Sequence, residues 1–255
     1  MTAITKLPAL LKREVLEHKN LWKVPAILIG ISALVKLSLM VGNLSFDFEV
    51  PKQLELDNTI DTALDSVIAT SLNSMNYMIM MVMFIVAIFY ALACLFNERQ
   101  DESVLFWRSL PISDSLTVAS KLIIALAVIP VVIVLSQAVV ALIFFGADAF
   151  EYLGTYYSSS LALLVKVILW SMLPVIAWCV FCSSVASKNP FLMAFIAPII
   201  LILVDKLFLD GVISQTFIIN RLTGISDYTT MPLIWGLVFS GVCIALTITK
   251  RSQRI

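Results

Sequence analysis

Apolar and polar positions alternate along this chain in blocks, giving six long apolar runs separated by polar segments. The runs cover about residues 24–44, 75–96, 122–146, 160–183, 190–204 and 231–249. Most approach the roughly 20 residues that a helix needs to cross about 30 Å of hydrocarbon. Backbone in lipid must satisfy its own hydrogen bonds, so such runs predict membrane-spanning α-helices. The fifth run is short, and Pro198 is expected to break its hydrogen-bond ladder. Pro130 is placed to kink the third run, which also holds Gln137, and the fourth contains Lys166, Trp170, Pro174 and Trp178.

Ahead of the first run, Leu7, Leu11, Val15 and Trp22 recur at helical spacing, while Lys12, Arg13, Glu14, Glu17 and Lys19 occupy mostly other directions. This predicts an amphipathic helix within residues 1–23, lying on the membrane surface. An ordinary helix packed on the rest of the protein is the alternative. Acidic residues interrupt the basic region and no small-residue cleavage site follows the run, which argues against a signal peptide. Residues 45–74 are polar and acidic, and their second half reads as a helix feeding the second run. Phe150, Tyr152, Tyr156 and Tyr157 gather in 147–159 like a headgroup-level aromatic belt. Residues 205–230 mix polar positions with Val212-Ile213 and Phe217-Ile218-Ile219, a pattern expected of short re-entrant or interfacial helices shielded by protein.

Composition agrees. Hydrophobic residues make up 60% of the chain and charged residues 13%, against about 45–50% and about 25% in soluble domains. The expected fold class is an all-α membrane protein, one transmembrane domain over 1–255. With 17 basic and 17 acidic residues there is no basic field of the kind nucleic acid requires. Position is more informative than balance. Twelve of the 17 basic residues lie in the N-terminal stretch, in 97–121, at Lys188 and in the C-terminal tail, and the opposite loops hold only Lys52, Lys206 and Arg221. This segregation predicts that both termini are cytoplasmic.

Reactive chemistry is sparse. Cys94, Cys179, Cys182 and Cys243 all fall in apolar runs, where a thiol packs as a small hydrophobe, and a lone C-x-x-C at 179–182 is weak evidence for metal or redox work. His18 is the single histidine, which disfavours a histidine-based metal cage. There is no G-x-x-x-x-G-K-[ST] phosphate loop, no H-E-x-x-H, no G-x-S-x-G, and no pair of carboxylates within the runs. No catalytic, cofactor-binding or metal residue is therefore assigned, and the chain is not expected to be an enzyme. Lys36 and Lys166 interrupt apolar runs, where an ammonium costs about 2.5–3.5 kcal/mol on insertion scales. Together with Gln137 they are candidates for a substrate path. The competing reading is that the two lysines snorkel outward or pair with the acidic outer loops.

The most informative segment joins the second and third runs, residues 97–121, reading N-E-R-Q-D-E-S-V-L-F-W-R-S-L-P-I-S-D and on to Val118 and Lys121. Leu105, Phe106 and Trp107 form an apolar cluster beside Arg108, a composition that dominates docking surfaces. The same cluster could instead lie in the headgroup layer or pack on the N-terminal helix. Pro111 marks a turn, and Ser113 is placed to cap a helix with Asp114 in its first turn.

Glu98-Arg99, Ser103, then Arg108-Ser109-Leu110-Pro111-Ile112-Ser113, then Val118 and Lys121, resemble the cytoplasmic loop of type-2 ATP-binding-cassette exporter permeases. The N-terminal helix with Lys12-Arg13-Glu14, the six-run layout and the polar segment before the last run extend the resemblance over nearly the whole chain. It implies a cytoplasmic coupling helix within 97–121 seated on a separate ATPase subunit, with Glu98, Arg99, Leu105, Phe106, Trp107, Arg108, Leu110 and Pro111 as coupling residues. It further implies that ATP and Mg are bound in that partner and none in this chain. A second permease copy or a paralogue would complete the path, in a bacterial cytoplasmic membrane. A non-transporting scaffold, sensor or immunity protein on the same fold is the rival expectation.

Overall fold

The computed structural model describes residues 3–41, 60–101, 113–146, 161, 164–220 and 230–253. Among these every regular element is a helix. Helix α1 is Ala3–Glu17. Six further helices are long and apolar enough to cross a membrane: α2 (Asn20–Met40), α3 (Ile60–Gln100, spanning over Ser74–Gln100), α4 (Asp114–Phe145), α5 (Leu164–Val185), α6 (Pro190–Phe208) and α7 (Thr230–Gln253, spanning over Met231–Gln253). The chain is a multi-pass membrane protein.

The count matches the six apolar runs, but the helices outlast them at one end. α3 continues through Glu98 and Arg99 to Gln100, and α4 begins at Asp114, well before the apolar run at 122. Charge alone does not stop a helix, because Glu, Arg and Gln are good helix formers. Only 101–113 joins α3 to α4, and of this 102–112 lies outside the described residues, as do 42–59, 147–160 and 221–229. The acidic segment's second half does run into the second span, as one continuous helix from Ile60. Pro198 does not end α6, which continues to Phe208, past the expected limit at 204.

α3 is the central helix, packing against α2, α4, α5 and α6, while α7 lies along α5 and α2 along α4. Met83, Ala87 and Ala91 of α3, Ile124 of α4 and Ile176 of α5 are fully buried at these contacts. Lipid tails are as apolar as these side chains, so close packing rather than escape from water holds the bundle, and the alanines let backbones approach. Half of the apolar window of α4 and of α5 is buried against 6% for α2 and 11% for α6, which puts α2 and α6 on the lipid-facing periphery.

Two of the packed helices are not α-helical throughout. Five-residue π turns occupy Ile124–Val128 in α4 and Ile168–Met172 in α5, ahead of Pro130 and Pro174. After α6 the chain reverses sharply: the amides of Leu209 and Gly211 both donate to the Asp205 carbonyl, at 2.8 and 3.2 Å, with Gly211 at φ 79°. A Cβ would strain that left-handed backbone. The Asp205 carboxylate then accepts from the Ser214 amide at 2.6 Å, holding a short helical stretch, Val212–Ser214 followed by a π turn at Gln215–Ile219.

Candidate functional site: a buried charge cluster

Four segments meet at the end of the bundle that carries both termini: α1, the last turn of α3, the first turns of α4 and the last turns of α7. Each brings charge. Glu14 is on α1, one turn beyond buried Leu10, so it sits on the packed face of the helix at 1% exposure. The sequence pattern placed it on the polar face; the structure corrects this, because α1 packs across the start of α4 with Leu10 and Glu14 inward. Lys121 on α4 is equally buried and donates to Glu14 Oε1 at 2.7 Å, and its ammonium lies 3.0 Å from Glu98 Oε1 on α3. Tyr90 donates its hydroxyl to Glu14 Oε2 at 3.1 Å.

Glu98 is the junction. Its Oε1 also accepts from Arg13 Nη2 at 3.2 Å, and its Oε2 accepts from Arg251 Nη1 at 3.0 Å. The same Arg251 guanidinium donates through Nε to Asp114 Oδ1 at 2.8 Å. Arg251, near the end of α7, therefore holds together the end of α3 and the start of α4, the two ends of the 101–113 connection. Ser113 caps α4 as its spacing predicts, accepting from the Leu116 amide at 3.3 Å, so the Asp114 carboxylate sits at a helix N-terminus. Lys121, Arg13 and Arg251 balance Glu14, Glu98 and Asp114, which is what allows Glu14, Glu98 and Lys121 to remain buried.

His18 closes the cluster's edge at the break between α1 and α2. Its ring stands edge-on to Tyr90 with centroids 4.7 Å apart, and Nε2 is 3.7 Å from Glu14 Oε2. Burial holds its pKa below 6.5, with Lys121 acting the same way and Glu14 opposing. Desolvation of the imidazolium outweighs a carboxylate already claimed by Lys121 and Tyr90.

Arg99, next to Glu98, points the other way. It donates to the carbonyls of Ser183 and Ala186, the latter at 2.8 Å, at the C-terminus of α5. Ser183 Oγ in turn accepts from the Leu95 and Phe96 amides at 3.2 and 3.0 Å. Arg99 thus clamps α3 to α5, while Glu98 ties α3 to α1, α4 and α7.

The other expected site residues fall elsewhere. Leu105, Phe106, Trp107, Arg108, Leu110 and Pro111 lie outside the described residues. Lys36 donates to the Phe144 carbonyl at 2.9 Å, in the last turn of α4, where carbonyls lack intrahelical partners and the helix dipole favours a cation. Gln137 donates to the Asn76 carbonyl of α3 at 3.2 Å, and Lys166 is exposed on α5. The two apolar-run lysines are thus in different settings, and the amine of Lys36 is occupied by protein.

Reading the sequence singled out Glu98 and Arg99 but gave Glu14 and Arg251 no role of their own. A signal existed for Glu14: it follows Leu7 and Leu10 at seven- and four-residue spacing, the register of a buried face. The four cysteines are buried and free, and among the described residues no group of three or more His, Cys, Asp or Glu side chains is placed to hold a metal. No protein-family model matches this chain, and no curated protein or solved structure matches it.

Proposed function

We propose that this chain is the membrane-spanning permease subunit of an ATP-binding-cassette exporter, forming its path as a dimer and driven by a separate ATPase subunit. The observation that carries the reading is Arg251 bridging Glu98 and Asp114. Both ends of the segment proposed to seat on the ATPase are fastened, through one guanidinium and the Glu98–Lys121–Glu14 contacts, to two other helices, α1 and α7. A push on that segment would be shared by α1, α3, α4 and α7 rather than dissipated in a loop. Buried ion pairs add little net stability over apolar packing, and their best-attested use is to fix register or to switch. That cost makes sense at a joint transmitting force between discrete states.

In this reading both termini and the 101–113 connection face the cytosol, as the Lys and Arg distribution requires. The partner binds ATP and Mg, and its closure moves the cluster as a unit. The test is to purify the chain with the ATPase that accompanies it and to reconstitute the pair in liposomes. Replacing Leu105, Phe106 and Trp107 together by alanine is expected to lower ATPase retention and stimulated ATP turnover at least tenfold. Unchanged retention and turnover would refute the coupling assignment. A chain that binds no ATPase but recruits another membrane protein would indicate the scaffold reading instead.

A further inference from the structure

Pro130 and Pro174 sit in equivalent settings on two different helices. Each is preceded by a five-residue π turn that starts six positions earlier, Ile124–Val128 and Ile168–Met172. In both turns the widened bond is present: the Ile129 amide donates to the Ile124 carbonyl and the Leu173 amide to the Ile168 carbonyl. A proline cannot donate to the residue four before it, here Leu126 and Trp170, and its ring crowds that carbonyl. A π turn relieves the crowding by adding one residue to the turn, and such turns mark places where a helix bends.

The two turns also lie within about one helical turn of each other in depth. α4 leaves the termini end at Asp114 and α5 returns to it at Val185, and these points are tied to adjacent residues of α3, Glu98 through Arg251 and Arg99 through Ser183. At about 1.5 Å per residue the turns lie roughly 15–21 Å and 20–26 Å from that end. Both helices pack on α3, which is α-helical without interruption from Ile60 to Gln100; the α4 turn contacts α3 and the α5 turn contacts α7. Pro198 provides an internal contrast: α6 stays α-helical around it, and α6 is peripheral, free to curve in lipid. Both proline-linked π turns lie in helices packed on several sides, whereas the third π turn, Gln215–Ile219, has no proline beside it.

We propose that α4 and α5 hinge at these π–proline turns, so that the far half of α4 and the short start of α5, residues 164–167, move against a block at the termini end. The block is the charge cluster with the Arg99 clamp. Beyond the hinge, α4 carries no charged side chain; it packs along α2 and α3, with hydrogen bonds from Gln137 to α3 and from Lys36 of α2. This device belongs to the chain itself and operates whatever partner drives it, so its failure would leave the ATPase assignment untouched.

The experiment measures spin-label distances by pulsed electron resonance in lipid nanodiscs, on a background with all four cysteines replaced. One pair, at Leu142 and Val165, reports the far halves; a second, at Ser115 and Lys188, reports the termini end. The native far-end pair is expected to give a broad distribution. Pro130→Ala with Pro174→Ala should narrow it and shift its mean by about 7 Å, the displacement of a kink of about 20° acting over the roughly 21 Å of helix from Val128 to Leu142. The termini-end pair should stay narrow throughout, and Pro198→Ala should change neither. If the double variant does not fold, Pro130→Ala alone reads most of the shift and Pro174→Ala only about 1–2 Å, because Val165 lies three residues beyond its turn. A native far-end distribution as narrow as the termini-end one, or one insensitive to both prolines, overturns the proposal. So does an equal response to Pro198→Ala.

Discussion

Lys121 is held by two carboxylates from two other helices, at 2.7 Å from Glu14 and 3.0 Å from Glu98. Removing it strands negative charge where water cannot reach. Lys121→Met is therefore expected to destabilise the fold by about 3–5 kcal/mol, read from thermal or denaturant unfolding in detergent. Glu14→Gln added to Lys121→Met should recover part of the loss, because the stranded charge is gone; a double variant as unstable as the sum of the two singles would mean that the residues do not interact. His18 gives the cluster a pH dependence. Its folded pKa is below 6.5, so the unfolded chain binds the extra proton first, and the folded state loses stability as pH falls through and below about 6.5. Above that range His18 is neutral in both states and contributes no slope. Unfolding temperatures measured from pH 8 to pH 5 should fall on the acid side in the native chain and fall less in His18→Phe, which keeps an edge-on ring against Tyr90.

At the scale of helices, α5 ends where α3 meets it. The carbonyls of Ser183 and Ala186 would lack partners at a helix C-terminus, and Arg99 supplies both. Arg99→Ala should cost about 1–3 kcal/mol, the usual penalty for buried acceptors left unmade. It should also speed amide exchange in 183–189 relative to the rest of α5, measured by mass spectrometry. Helix number and identity were legible from apolar run length, because lipid admits few other backbone forms. The start of α4 was legible in the Ser113 cap with Asp114 in its first turn, but other helix ends were not: Glu98 and Arg251 look like loop residues to a hydropathy scan, yet each is helical and finds a charged partner on another segment. The π turns were legible only halfway: Pro130 signalled a bend, but whether a proline kinks, bulges or passes smoothly, as Pro198 does, depends on neighbours that periodicity does not reveal.

At the scale of the whole molecule, the cluster and the hinges divide the bundle crosswise. Toward the termini, α1, α3, α4 and α7 are joined by charge and α5 by the Arg99 clamp; toward the other end, contacts between helices are apolar or single hydrogen bonds. A site of this kind is hard to see in one dimension, since its members span residues 13 to 251 and no short motif contains them. What the sequence did display was the resemblance of 97–121, and the structure adds to it the partners of Glu98 and Asp114. Arg251 is also the last of these groups to be synthesised. A nascent chain lacking its final helix must carry Glu98 and Asp114 without their shared guanidinium, however well its earlier spans have inserted. Closure of the cluster therefore waits for α7, and a product truncated before Arg251 would leave Asp114 and Glu98 without the guanidinium they share.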